Sequence, residues 1–207
     1  PFHPNGMKFV GKDLNGDVID EWTVYSIGGG ALSDGIQGHE ELGADDVYDL
    51  HTMADIQQWC YENGRAFWEY GEKCEDKDIW DFLRKIWETM KQSIRNGLNH
   101  EGVLPGPLKL QRKAATYHIK AKGYRASLQS RGLVYSYALA VSEENASGGI
   151  IVTAPTCGAC GVLPAVLYHM HTAHDMSEER ILRALATAGL VGNIVKNNAS
   201  ISGADVG

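Results

Sequence analysis

The chain has 207 residues, 43% hydrophobic and 22% charged, enough to bury a core in one large domain or two small ones. A net charge of −7 argues against a general nucleic-acid binder, because neutralising phosphates needs a basic face. No apolar run approaches the roughly 20 residues that span a bilayer, and four cysteines are too few for a disulfide scaffold of this length, which points to a reducing cytosol.

Residues 7–30 read as a β-hairpin around Asn15-Gly16, the strongest two-residue hairpin signal. In its second strand Val18, Asp20, Trp22, Val24 and Ser26 share one face, and Ile19, Glu21, Thr23 and Tyr25 the other. Both faces are mixed, so at most one is well buried. The triple glycine Gly28-Gly29-Gly30 ends the strand. Residues 31–48 are acidic, glycine-bearing and aperiodic, and read as a linker.

Helical signals begin after His51. Thr52 is placed to cap a helix that Gly64 stops. The clearest helix is 78–97, where Ile79, Phe82, Leu83, Ile86, Trp87, Met90 and Ile94 recur at spacings of three and four. Two prolines stiffen the loop 101–108. Further helices are expected at 129–144, 161–174 and 177–197, the last with an acidic first turn that suits the helix dipole. The fold class is α+β: a short β-hairpin tail joined to a mostly all-helical domain.

Several segments could carry chemistry. Cys157-x-x-Cys160 supplies only half of a four-ligand metal site. Cys60 and Cys74 lie in helical sequence, where cysteines are ordinarily core residues. "APTCGACG" reads as a loop feeding a helix, whose amides suit a carboxylate; small buried thiols in a tight loop are an equal alternative. "NNASISGADVG" offers short hydrogen-bonding side chains that could hold a small polar substrate, although helix capping uses the same residues. "SIGGG" permits close backbone approach to an anion but is not a dinucleotide fingerprint. His169, His171 and His174 fit a solvated helix end better than a metal site. Lys109, Arg112, Lys113, Lys120, Lys122 and Arg125 form a basic run that could steer a carboxylate substrate, although a solvated helix face is the better reading.

Taken in order, "FHPNGM", "YSIGGG", "EGVLPGPL", "EENASGG", "TAPTCGACGVLPAVL" and "NASISGADVG" resemble the bacterial iron–sulfur L-serine dehydratases (L-serine ammonia-lyases) from Pro1 to Gly207. The resemblance implies the end of a β domain at 1–36, a linker at 37–50, and the first part of a helical catalytic domain at 51–207. It implies a truncated chain, since both ends look cut. A [4Fe–4S] cluster would act as Lewis acid on the serine hydroxyl in the full-length enzyme. The family's cluster cysteines are expected beyond Gly207, so no metal ligand and no held cofactor is expected among these residues, and this piece alone is expected to be inactive.

The resemblance also assigns roles. His3 would be the acid/base group, since imidazole titrates near neutrality. Ser26, Gly28, Gly29, Thr156, Gly158, Asn198, Ser200 and Ser202 would hold the substrate, L-serine. A cytoplasmic lyase of amino-acid degradation and gluconeogenesis is implied, forming pyruvate and ammonia, with no nucleic-acid or membrane partner and a homodimer as an open assembly. An amino-acid-binding or regulatory module without catalysis is the alternative.

Overall fold

The computed structural model describes residues 6–28, 31–35, 47–153 and 158–198. Three strands form an antiparallel sheet in the order β1 (Gly6–Lys12), β2 (Val18–Gly28), β3 (Ala31–Ser33). The hairpin stands where its alternation put it, but its turn is longer than the two residues expected. Asp13 to Asp17 close it, and the Asp13 carboxylate accepts from the amides of Asn15 and Asp17 at 2.9 Å each. Gly16 takes a positive φ of 91°, which glycine adopts without strain. β3 falls in the stretch read as a linker, where three residues are too few to show a period. The sheet is mostly exposed. Val24 is buried, whereas Phe9 and Trp22, paired across β1 and β2 and stacked at 5.7 Å, remain about half exposed.

Seven helices follow: α1 (Met53–Asn63), α2 (Phe67–Cys74), α3 (Ile79–Asn99), α4 (Ala114–Lys122), α5 (Ala126–Ala146), α6 (Val162–Ala173) and α7 (Glu178–Asn198). The α1 caps are those expected: Thr52 Oγ1 accepts from the Asp55 amide at 3.2 Å, and Gly64 ends the helix in a left-handed conformation. The helices expected at 78–97, 129–144, 161–174 and 177–197 all form, with ends shifted by one to three residues. Sequence reasoning placed Cys74 and the basic run in helical sequence but gave no bounds for α2 and α4. Both are short, and docking against a neighbour rather than intrinsic periodicity sustains helices of this length.

The core has three parts. Leu83, Trp87 and Met90 of α3 pack with Leu167 of α6 and Ile181, Leu182 and Leu185 of α7. Ile94 of α3 packs with Tyr137 and Val141 of α5, Cys160 and Ala165. Ile56, Cys60, Tyr70 and Leu190 join α1, α2 and α7. Thus α3 serves two of the three parts with one stripe. Phe82, counted in that stripe from spacing, is 56% exposed; at roughly 100° per residue it lies off the centre that Leu83, Trp87, Met90 and Ile94 define.

Glycines let the helices approach closely. A Cβ at Gly97 of α3 would lie 2.2 Å from the Ala140 carbonyl oxygen on α5, and one at Gly161 would lie 2.4 Å from that of Ala138. No helix among the described residues is long and apolar enough to cross a membrane.

Candidate functional site

Two of the sequence motifs, and the arm that follows a third, meet on the C-terminal half of α5. "EENASGG" is its end, with Glu143 and Glu144 in the last turn and Gly149 just past it. Acidic groups oppose the helix dipole there, so both need compensation. It comes from the segment holding "EGVLPGPL". A hairpin-like loop, closed by Leu104 N to Leu110 O at 2.7 Å and Arg112 N to Gly102 O at 2.9 Å, brings Arg112 and Lys113 back to α5. The other motif, "CGACG", returns at Gly161 onto Ala138, with Ser142 Oγ 3.1 Å from the position a Cβ would take.

Both carboxylates are buried. Glu143 Oε1 accepts from the backbone amides of Lys113 (2.6 Å) and Ala114 (3.2 Å), capping the start of α4 from the interior. Its Oε2 is buried with no hydrogen-bond partner among the described residues. Glu144 Oε1 accepts from Arg112 Nη1 at 3.1 Å and His100 Nδ1 at 2.8 Å. Arg112 Nη2 donates to Ser147 Oγ, which donates in turn to the Glu143 carbonyl at 2.7 Å. The Arg112 side chain is only 9% exposed. The solvated-face reading of the basic run therefore fails for Arg112, whose guanidinium is buried against Glu144. Sequence reasoning assigned no role to His100, Glu143 or Glu144. The available signal was the pair of adjacent glutamates at a helix C-terminus.

Among the residues assigned to substrate or chemistry, His3, Gly29, Thr156, Ser200 and Ser202 lie outside the described residues. Ser26 and Gly28 are on β2, opposite Leu32 and Ala31 across an irregular register. Gly158 is exposed in the turn before α6, with no atom within 4 Å of a Cβ built there. Asn198 is the last residue of α7.

The thiols are split between core regions. Cys160 is buried against Tyr137 and Val141, and Cys60 is buried beside Tyr70 with Cys74 packed nearby. Burial pushes the Cys60 thiol above its usual range, with Glu69 adding to the effect. Cys60 thus has the character of a packed neutral thiol. Cys157 lies outside the described residues.

Of the three histidines, His174 is exposed as expected, whereas His169 departs from the solvated reading. His169 is buried, with Nε2 2.7 Å from Ser130 Oγ and Nδ1 without a partner among the described residues. Burial pushes its pKa down, and His174 adds repulsion. His171 donates to the Met176 carbonyl at 2.9 Å and stands edge-on to Trp87. A cleft of about 320 Å³ lies toward the other end of α3, between Trp68, Trp80, Arg84 and Arg183. Its arginines are already paired with Asp81, Glu178 and Glu179.

Residues 32–207 match the family described as serine dehydratase alpha chain. Similar proteins include the L-serine dehydratase of Haemophilus influenzae, 39% identical over 99% of this chain and 48% of that protein. L-serine dehydratase 1 of Escherichia coli is 38% identical over 100% of this chain and 48% of its own length. The L-serine dehydratase of Streptomyces coelicolor is 37% identical with the same two coverages. The chain spans about half the length of the curated relatives it matches.

Proposed function

Because this chain belongs to the serine dehydratase alpha-chain family, we propose that it forms part of an enzyme converting L-serine to pyruvate and ammonia. The observation that carries this reading is the family match over 32–207, taken with the packing of segments from three family-like stretches on the C-terminal half of α5. The domain division at 1–36, 37–50 and 51–207 belongs to the same reading.

The reaction removes the Cα proton and the β-hydroxyl of serine as water. Aminoacrylate remains, tautomerises to an imine, and takes up water to release ammonia and pyruvate. An iron–sulfur cluster, where bound, supplies Lewis-acid activation of the leaving hydroxyl. The described residues do not fit such a cluster. Cys60 and Cys74 share one core region, Cys160 sits in another, and no group of three or more candidate ligands converges among them. In this reading the chain contributes binding and proton transfer. His3 is the acid/base group of this reading. Gly158, Thr156, Asn198, Ser200 and Ser202 hold serine's polar groups, with Ser26, Gly28 and Gly29 contributing from the strand end.

The test is pyruvate formation from L-serine by a protein of the relatives' length that carries this chain. Turnover of serine supports the reading, and binding of serine without pyruvate would favour the module without catalysis. The 207-residue chain alone, reconstituted anaerobically with iron and sulfide, is expected to form no pyruvate.

A further inference from the structure

Glu144 is an expensive residue to keep. It is 4% exposed, it stands at the negative end of a helix dipole, and it takes two donors from distant parts of the chain. A buried pair of this kind adds no stability that well-packed apolar residues could not match, so its value lies in what it holds in place. It ties the end of α3 through His100 and the returning arm of the 101–113 loop through Arg112. It also forms the surface on which the next segment is laid. The Gly149 amide donates to the Glu144 carbonyl at 2.8 Å. A Cβ at Gly149 would lie 2.8 Å from Glu144 Oε2. The chain therefore leaves α5 in van der Waals contact with the carboxylate that Arg112 and His100 orient.

The same segment comes back to the same helix. Gly161 rests on the Ala138 carbonyl, six residues before Glu144, or about 9 Å along the helix axis at 1.5 Å per residue. Its departure and return are thus both referenced to one short stretch of α5. Gly158, which borders open space, lies three residues before the return point.

We propose that Glu144, oriented by Arg112 and His100, is a positioning residue that sets the path by which residues 149–153 leave α5, and thereby helps place Gly158 for substrate binding. The first half of this statement stands on the geometry alone. The second rests on the serine dehydratase reading.

Glu144→Gln tests both, since it keeps the size and the carbonyl acceptor but removes the charge that holds the guanidinium. Hydrogen exchange on the 207-residue chain reads the first half. The Gly149 amide, which donates to the Glu144 carbonyl, is expected to exchange at least about tenfold faster in the variant, while amides in 79–90 of α3 keep their protection. Unchanged exchange at Gly149 would overturn the proposal. So would uniform acceleration everywhere, which is the mark of general destabilisation. Kinetics in a protein of the relatives' length read the second half. Glu144→Gln is expected to raise KM for L-serine about tenfold with kcat changed far less, and Arg112→Lys to move it the same way. The double variant should be no worse than the single ones, because the two residues act as one unit. Equal KM in folded variant and parent, or additive losses, would refute it. If the parent forms no pyruvate, the functional reading fails, while the exchange result still decides the positioning role.

Discussion

Replacing Gly97 with alanine should destabilise this fold, although it improves helix propensity. In an isolated helix the change favours folding by about 0.5–1 kcal/mol, because glycine has more backbone freedom to lose. In α3 the added Cβ would fall 2.2 Å from the Ala140 carbonyl oxygen, 2.5 Å from its carbon and 2.7 Å from its Cα. These are backbone atoms of a helix, so no side-chain rotation relieves the contact, and α3 and α5 must move apart. The packing of Ile94 against Tyr137 and Val141 loosens with them. Overpacking of this kind costs typically about 1–3 kcal/mol, and rigid neighbours place it at the upper end. The net loss is about 2 kcal/mol, or roughly 4–8 °C in Tm for a chain of this size. Thermal unfolding followed by far-UV circular dichroism measures it. Gly189→Ala on α7 is the control, since nothing lies within 4 Å of a Cβ there and propensity alone should act. A Gly97→Ala protein melting at or above the parent would refute the reasoning.

Other outcomes follow from the same structure. His169 is held neutral by burial, so the unfolded chain takes up a proton first as pH falls through the ordinary histidine value of about 6.5. Stability contributed by this group is present above that value and is lost toward lower pH, and His169→Asn should flatten the acid limb of a plot of urea midpoint against pH. Thr52→Ala removes the α1 cap and should cost about 1 kcal/mol, read as a lower urea midpoint with unchanged slope. If His3 is the acid/base group, His3→Ala in a protein of the relatives' length should lower kcat for L-serine by at least about 10²-fold with KM near the parent value. Unchanged kcat would remove His3 from the mechanism.

Much of this architecture could be read along the chain, because its determinants are local. A stripe at helical spacing marks α3, a hydroxyl before and a glycine after mark α1, and alternation about Asn15-Gly16 marks the hairpin. The motif order carried the family in the same way. What tertiary structure decided was partnership. Arg112 and Glu144 are 32 residues apart, and nothing within either segment tells a solvated basic run from one buried arginine. His169 looks like its neighbours at a helix end until Ser130 of α5 closes over it. The short helices α2 and α4 exist because neighbours dock on them. In each case the deciding quantity is where one backbone crosses another. Here α3 and α5 cross as closely as they do because position 97 has no side chain to hold them apart.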